Sequence, residues 1–279
     1  MLKSGLLSIT FRKLTAEAII ELVAQAGLAC IEWGGDVHAP HGDAARAAQL
    51  KQWCDDAGIE LPSYGSYYRA AVSAAQGLSF EAAADTAAAL GARTIRVWAG
   101  DRNAEDADAA QRAAVVDDLA RCIDLAAARG LTVSTEYHSG TLTNRFDAAM
   151  ALLREPSLAG LRTYWQPRSH ELPAEQQAGE LEQLLDRVTH LHVFTWSFDA
   201  AGGVTRHALA DGEAAWRRYL AVAERASEQV HGELPGELPG AMLEFVRHDD
   251  PAQFLADAAT LRQWLAPTPA PGSGSGKPE

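Results

Sequence analysis

Four times in the first half of the chain, an alanine-rich run stops at a glycine, passes a few residues and enters a short β-rich run. The runs Thr15–Ala26, Asp43–Ala57, Phe80–Leu90 and Ala109–Arg129 stop at Gly27, Gly58, Gly91 and Gly130. A glycine there marks the left-handed residue that closes a helix, and a short glycine-containing link is what a helix-to-strand connection needs. Strict alternation of helix and strand builds parallel βαβ units. The pattern predicts eight strands, over Gly5–Thr10, Ala29–Trp33, Ile59–Gly65, Thr94–Trp98, Leu131–Tyr137, Leu161–Trp165, Val188–Phe194 and Ala241–Phe245. The later helices are expected over Asp147–Arg154, Ala174–Asp186, Glu213–Ser227 and Ala252–Leu265, with Pro251 at the start of the last, where its missing N–H costs little.

Eight rounds in strict order favour a single closed (β/α)8 barrel over an open doubly wound sheet. The 279 residues fit the ~250 such a barrel uses. No GxGxxG and no Walker lysine follows the first strand, which argues against a nucleotide fold; Gly34–Gly35 alone marks only a tight turn. The barrel is expected over 1–266. Glu228–Gly240, with two overlapping GELPG copies, reads as an insertion before the last strand, and 267–279, rich in Pro, Gly and Ser, as a disordered tail.

The net charge of −13 repels nucleic-acid phosphates and anionic membranes at long range. No apolar run reaches the ~18 residues of a membrane span. MLKSGLLSITFRK reads as a first strand and not a signal peptide. Cys30, Cys54 and Cys122 are too scattered for a disulfide framework or a zinc cluster. They are expected as core residues in a cytoplasmic protein. A homo-oligomer is compatible with this sequence.

In such a barrel the chemistry gathers at the C-terminal strand ends. Glu136, Gln166, His192 and Glu244 fall there on four successive strands. Two carboxylates, an amide oxygen and an imidazole form an oxygen-rich set suited to Mn²⁺ or Mg²⁺, with Co²⁺, Fe²⁺ or Zn²⁺ also compatible. A bound ion would polarise a sugar carbonyl and stabilise an enediolate, while a glutamate moves the proton between carbons. Buried carboxylates in apolar strands need a function or an ion pair, so structural salt bridges are the alternative for Glu136 and Glu244. For His192, which shares parity with His190, it is a hydrogen-bonded core histidine. For Gln166 it is a backbone-capping amide. His138, two residues past Glu136, is a candidate substrate ligand or proton shuttle. Arg247 and His207 are further candidates at the mouth, and Arg206 is expected in a surface ion pair. His38 and His41 are too loosely spaced to read as a metal pair. Trp33, Tyr64, Tyr67, Trp98, Trp165 and Trp196 all fall near strand ends. They read either as packing or as a wall for sugar C–H faces, which hints at a substrate such as a glycoside.

These segments resemble the xylose isomerase-like barrel superfamily, the sugar phosphate isomerase/epimerase group. The carrying stretches are CIEWGG, AAALGARTIRVWAG, STEYHSGTLT, HLHVF, LADGEAAW and MLEF, and the resemblance runs from Leu6 to Leu265. It implies metal ligation by Glu136, Gln166, His192 and Glu244, with Glu136 and Glu244 doubling as acid and base on opposite faces of the substrate. Gln166, within YWQP, departs from the family's usual acid on strand six. The resemblance implies an isomerase or epimerase of a small sugar or keto-sugar. The rival on the same site is a lyase working by β-elimination: a keto-inositol or dehydroshikimate dehydratase, or a 3-keto-glycoside-cleaving enzyme. A DNA-repair endonuclease of the same fold is disfavoured by the missing strand-six acid and the negative charge. A non-catalytic partner subunit is the remaining alternative.

Overall fold

The computed structural model describes residues 2–168, 172–199, 202–229 and 240–267. Most of the GELPG segment and the tail beyond Pro267 lie outside the described residues. Helix α1 (Ala16–Ala26) is capped by the Thr15 hydroxyl and closed by Gly27 at φ 64°, whose N–H reaches back to Ala24. The remaining helices are α2 (Ala44–Asp56), α3 (Phe80–Leu90), α4 (Ala109–Ala127), α5 (Phe146–Leu153), α6 (Ala174–Leu184), α7 (Glu213–Gln229) and α8 (Pro251–Leu265), with Pro251 in the first turn of the last. None of the described helices is long and apolar enough to cross a membrane.

The strands are β1 (Lys3–Leu7), β2 (Cys30–Gly34), β3 (Ser63–Arg69), β4 (Thr94–Trp98), β5 (Thr132–Thr135), β6 (Arg162–Trp165), β7 (Val188–Val193), β8 (Trp196–Phe198), β9 (Val204–Arg206) and β10 (Gly240–Leu243). Eight of them close in the order β1-β10-β7-β6-β5-β4-β3-β2, all neighbours parallel. The fold is a single (β/α)8 barrel. Three details differ from expectation. β3 runs over Ser63–Arg69 and not Ile59–Gly65, because the chain at Glu60 makes only an isolated bridge to Cys30 before the strand begins. β1 stops at Leu7, and Ser8–Phe11 forms a 3-10 turn. The loop after β7 folds into an antiparallel hairpin of β8 on β9.

Residues opposite one another in register share a face, and strand neighbours alternate. Ile31, Trp33, Tyr64, Ile95, Val97, Val133, Leu191, Val193, Ala241 and Leu243 all belong to the large core between strands and helices. The other parity faces the barrel interior. Its apolar part is small: Leu7, Cys30 and Met242, with Ile9 against them. Gly5 sits among these, where an added Cβ would come within 2.5 Å of Cys30 Sγ and Met242 Sδ. The rest of the interior is polar. All three cysteines are buried and unlinked.

Candidate metal centre and barrel mouth

Parity assigns the site. In β4, Ile95 and Val97 face the helices, so Arg96 and Trp98 face inward. Arg96 is 2 % exposed, and its Nε donates to Glu32 Oε1 at 2.9 Å. The other Glu32 oxygen accepts from Ser63 Oγ at 2.7 Å and Tyr164 Oη at 2.8 Å. Arg96 Nη1 bonds Glu136 Oε2, which also accepts from Trp98 Nε1 at 2.5 Å. Burial alone would raise both carboxyls, but Arg96, and after it His192, outweigh it and hold Glu32 and Glu136 below the usual carboxylate range. His190, below His192 on β7, is pushed down to about 4 by burial, and its ring packs 4.8 Å from Tyr164.

Above this layer four donors converge. His192 Nδ1 lies 3.0 Å from Gln166 Oε1, 3.3 Å from Glu244 Oε2 and 3.5 Å from Glu136 Oε1. Gln166 is oriented by its own amide: Nε2 donates to the Tyr137 carbonyl at 2.8 Å, which turns Oε1 to the cluster. Ligand atoms of Glu136, His192 and Glu244 lie within 4.8 Å of one another, and all three residues are buried. Glu244 Oε2 is buried with no aligned hydrogen-bond donor. An acceptor left in that state is costly unless something fills it. Burial lowers His192, yet Glu244 and then Glu136 outweigh it and raise its pKa, so the pocket demands positive charge. Two carboxylates, an amide oxygen and an imidazole fit a hard divalent cation.

The other expected residues separate by parity. Trp98 and His138 stand at the mouth, stacked at 4.9 Å and 17°. Trp196 lies at the foot of the hairpin, stacked on Phe245 at 6.3 Å and 15°. Trp33, Tyr64 and Trp165, expected either as packing or as a substrate wall, take the packing role and point into the strand–helix layer. Trp33 lies 5.5 Å from His38, Tyr64 Oη donates to the Ala39 carbonyl, and Trp165 packs 4.9 Å from Tyr219 of α7. Arg247 is exposed and bonded to Gln253 of α8. His207 Nε2 is 2.7 Å from Ser197 Oγ across the hairpin. Arg206 pairs with Asp249 at 2.6 Å. A cavity of about 210 Å³ beside the loops after β3 and β4 is lined by residues that include Ala71, Val72, Gly100 and Leu142, and by none of the cluster.

Three site residues carry no role in the sequence reading: Arg96, Glu32 and Arg12. Arg96 was detectable, being a charge between Ile95 and Val97 in an apolar strand. The placement of Tyr67 was not. Tyr67 sits at φ 55° inside an irregularity of β3, with its ring 5.9 Å from Trp98 and its hydroxyl 3.2 Å from Arg12 Nη2. Phe245, next to Glu244, is also left-handed at φ 51°. Bulky residues there are strained, and such strain collects at functional sites.

Fold and site together define a parallel (β/α)8 barrel with a buried acidic and imidazole cluster at the C-terminal mouth, of a kind that could hold a metal ion. The chain belongs to the xylose isomerase-like TIM barrel family, whose model matches residues 20–227. No curated protein matches it in sequence. Among solved structures it is similar to a probable 3-DHS dehydratase from Bacillus anthracis, at 19% identity and TM-score 0.74, covering 94% of this chain and 99% of that one. It is similar to a D-allulose 3-epimerase from Methylomonas sp., at 15% identity and TM-score 0.68, covering 95% and 98%. A third similar structure is a xylose isomerase-like TIM barrel protein from Mycobacterium smegmatis in complex with magnesium, at 15% identity and TM-score 0.66, covering 95% and 97%. At these identities the likeness is one of fold.

Proposed function

We propose that this chain is a divalent-metal-dependent isomerase or epimerase that moves a proton at the carbon next to a carbonyl of a sugar-like substrate. The observation that carries the reading is the convergence of Glu136, Gln166 and Glu244 oxygens on His192 Nδ1, with no aligned donor for Glu244 Oε2. A divalent ion held by these four residues, most simply Mn²⁺ or Mg²⁺, would stabilise the negative charge that develops on the substrate's oxygens. Glu244 is the group free to take the proton and return it. Trp98 and His138 supply the flat wall on the β4–β5 side, and Trp196 with Phe245 the wall on the β7–β10 side.

One observation favours a second reading, a lyase. Glu136 Oε2 is already held by Arg96 and Trp98. That leaves one mobile carboxylate where a two-faced epimerisation uses two. Abstraction by Glu244 followed by loss of a β-leaving group needs only one. Both readings are tested together by incubating keto-sugars and dehydroshikimate-like acids with the chain in D₂O, with and without Mn²⁺, and reading products by NMR. Deuterium at the carbon beside the carbonyl with altered stereochemistry or carbonyl position supports the isomerase or epimerase; an unsaturated product supports the lyase. Turnover that survives complete chelation overturns both.

A further inference from the structure

Arg69, the last residue of β3, carries a positive charge that no carboxylate among the described residues answers. Its guanidinium carbon lies 4.1 Å from the centroid of the Trp98 ring. Among the described residues its side chain makes no ion pair and no hydrogen bond, although it is only partly exposed. Among the described residues Arg102 and Arg154 also lack partners, but both are exposed to solvent. At the mouth, Arg12 is matched by Asp36 at 2.6 Å, and Arg96 by Glu32 and Glu136. In a chain of net charge −13, a half-buried arginine without a carboxylate is out of keeping with its surroundings.

The backbone is deformed to put it there. Gly65 pairs with Arg96, but the next pairs are Tyr68 with Val97 and Arg69 with Trp98. Ser66 and Tyr67 are therefore extra residues on β3. Ser66 Oγ locks the irregularity by donating to the Arg96 carbonyl at 2.6 Å and accepting from Tyr68 N at 3.2 Å. Bulges beside active sites re-aim side chains. This one brings Arg69 into register with Trp98, on the inward face, and turns Tyr67 towards the mouth. Ser73 Oγ then holds the Arg69 N–H at 2.7 Å. Trp98, which carries the guanidinium on its ring, donates in turn to Glu136.

We infer that Arg69 anchors an anionic group, a carboxylate or a phosphate, of a substrate whose reacting carbons lie over the Glu136–His192–Glu244 cluster. The inference rests on the proposed function and narrows it: the substrate is an acidic or phosphorylated sugar-like compound and not a neutral glycoside. A guanidinium fork matches both anions, and partial burial strengthens the pairing.

Binding to the full-length, metal-free chain tests this, with D-glucose, D-glucuronate and D-glucose 6-phosphate, and sorbitol against gluconate, as matched neutral and anionic probes followed by NMR. At least one anionic probe should bind ten times or more tightly than its neutral match, weaken with added salt, and lose that advantage in Arg69→Gln. Whether glucuronate or the phosphate ester gains more identifies the anion. Equal binding within every pair, or a preference that persists in folded Arg69→Gln, overturns the inference. If Arg69→Gln does not fold, the wild-type chain decides: phenylglyoxal modification of Arg69, read by peptide mass, must be suppressed by the preferred probe, and unchanged modification overturns it. Mn²⁺ titration of the cluster is scored separately. A parent chain that binds Mn²⁺ but shows no anion preference removes only this inference, whereas a parent chain that binds no Mn²⁺ removes the proposed function.

Discussion

Two buried charged layers are stacked inside this barrel, and they treat their charges in opposite ways. In the lower one, Glu32 receives Arg96, Ser63 and Tyr164, so both of its oxygens are engaged. In the upper one, oxygens of Glu136, Gln166 and Glu244 crowd one imidazole nitrogen, and Glu244 Oε2 has no aligned donor. Burial is the same in both. The difference is acceptor capacity left unused, and that feature separates a site from a structural ion pair. Glu136 belongs to both layers, with Oε2 turned to Arg96 and Oε1 to the cluster.

The contrast can be broken most directly at Glu244. Glu244→Gln should reduce turnover by ~10⁴-fold, the upper end of what one acid–base group contributes, because it removes the negative charge of a candidate ligand as well as the base. Its thermal midpoint should stay level or rise, since a buried carboxylate facing another is lost. An active Glu244→Gln enzyme would remove the basis for treating the upper layer as the site.

Arg96→Met attacks the lower layer. It leaves Glu32 and Glu136 buried without their cation, and breaking such a pair costs about 3–5 kcal/mol. Urea unfolding measures the loss, and a cost under about 1 kcal/mol would show that Arg96 is not the keystone of a closed network. The double variant Glu32→Gln with Arg96→Met should recover part of the loss.

A smaller effect concerns acid. His190 titrates near 4 when folded, because of burial, against 6.5 for the free side chain. Between those values the unfolded chain binds a proton that the folded chain refuses. Stability therefore falls as pH drops across that window, by about 3 kcal/mol. Glu32, held low, loses its contribution as pH falls further and acts in the same direction. His190→Phe should flatten the profile between pH 6.5 and 4. A profile identical to that of the parent chain would mean that His190 is not buried in its neutral form.

Most of the barrel was legible because helix-closing glycines and short apolar strands are local signals. The end of β1 was not, since Ser8–Thr10 continues the same mixed pattern while the chain has already turned. The β8–β9 hairpin was hidden by strands of three residues each. At the site, carboxylates within apolar strands stood out, and Glu136 and Glu244 lie where that reasoning put them. The aromatics did not sort themselves, because proximity to a strand end says nothing about parity. Counting alternate residues from Glu32 would have sent Trp33 outward, and from Gln166 would have done the same for Trp165. The β3 irregularity, which positions Tyr67 and Arg69, leaves no mark in local composition.

Gln166 has a consequence for how this chain could vary. Its amide N–H₂ is committed to the Tyr137 carbonyl, a bond that a carboxylate cannot donate. An acid of the same size at 166 would set two acceptors against each other unless it kept its proton. The Gln166→Glu change, nearly isosteric, would therefore insert a proton-bearing acid rather than a third negative charge. The neutral member of the cluster is dictated from outside it, by one backbone carbonyl.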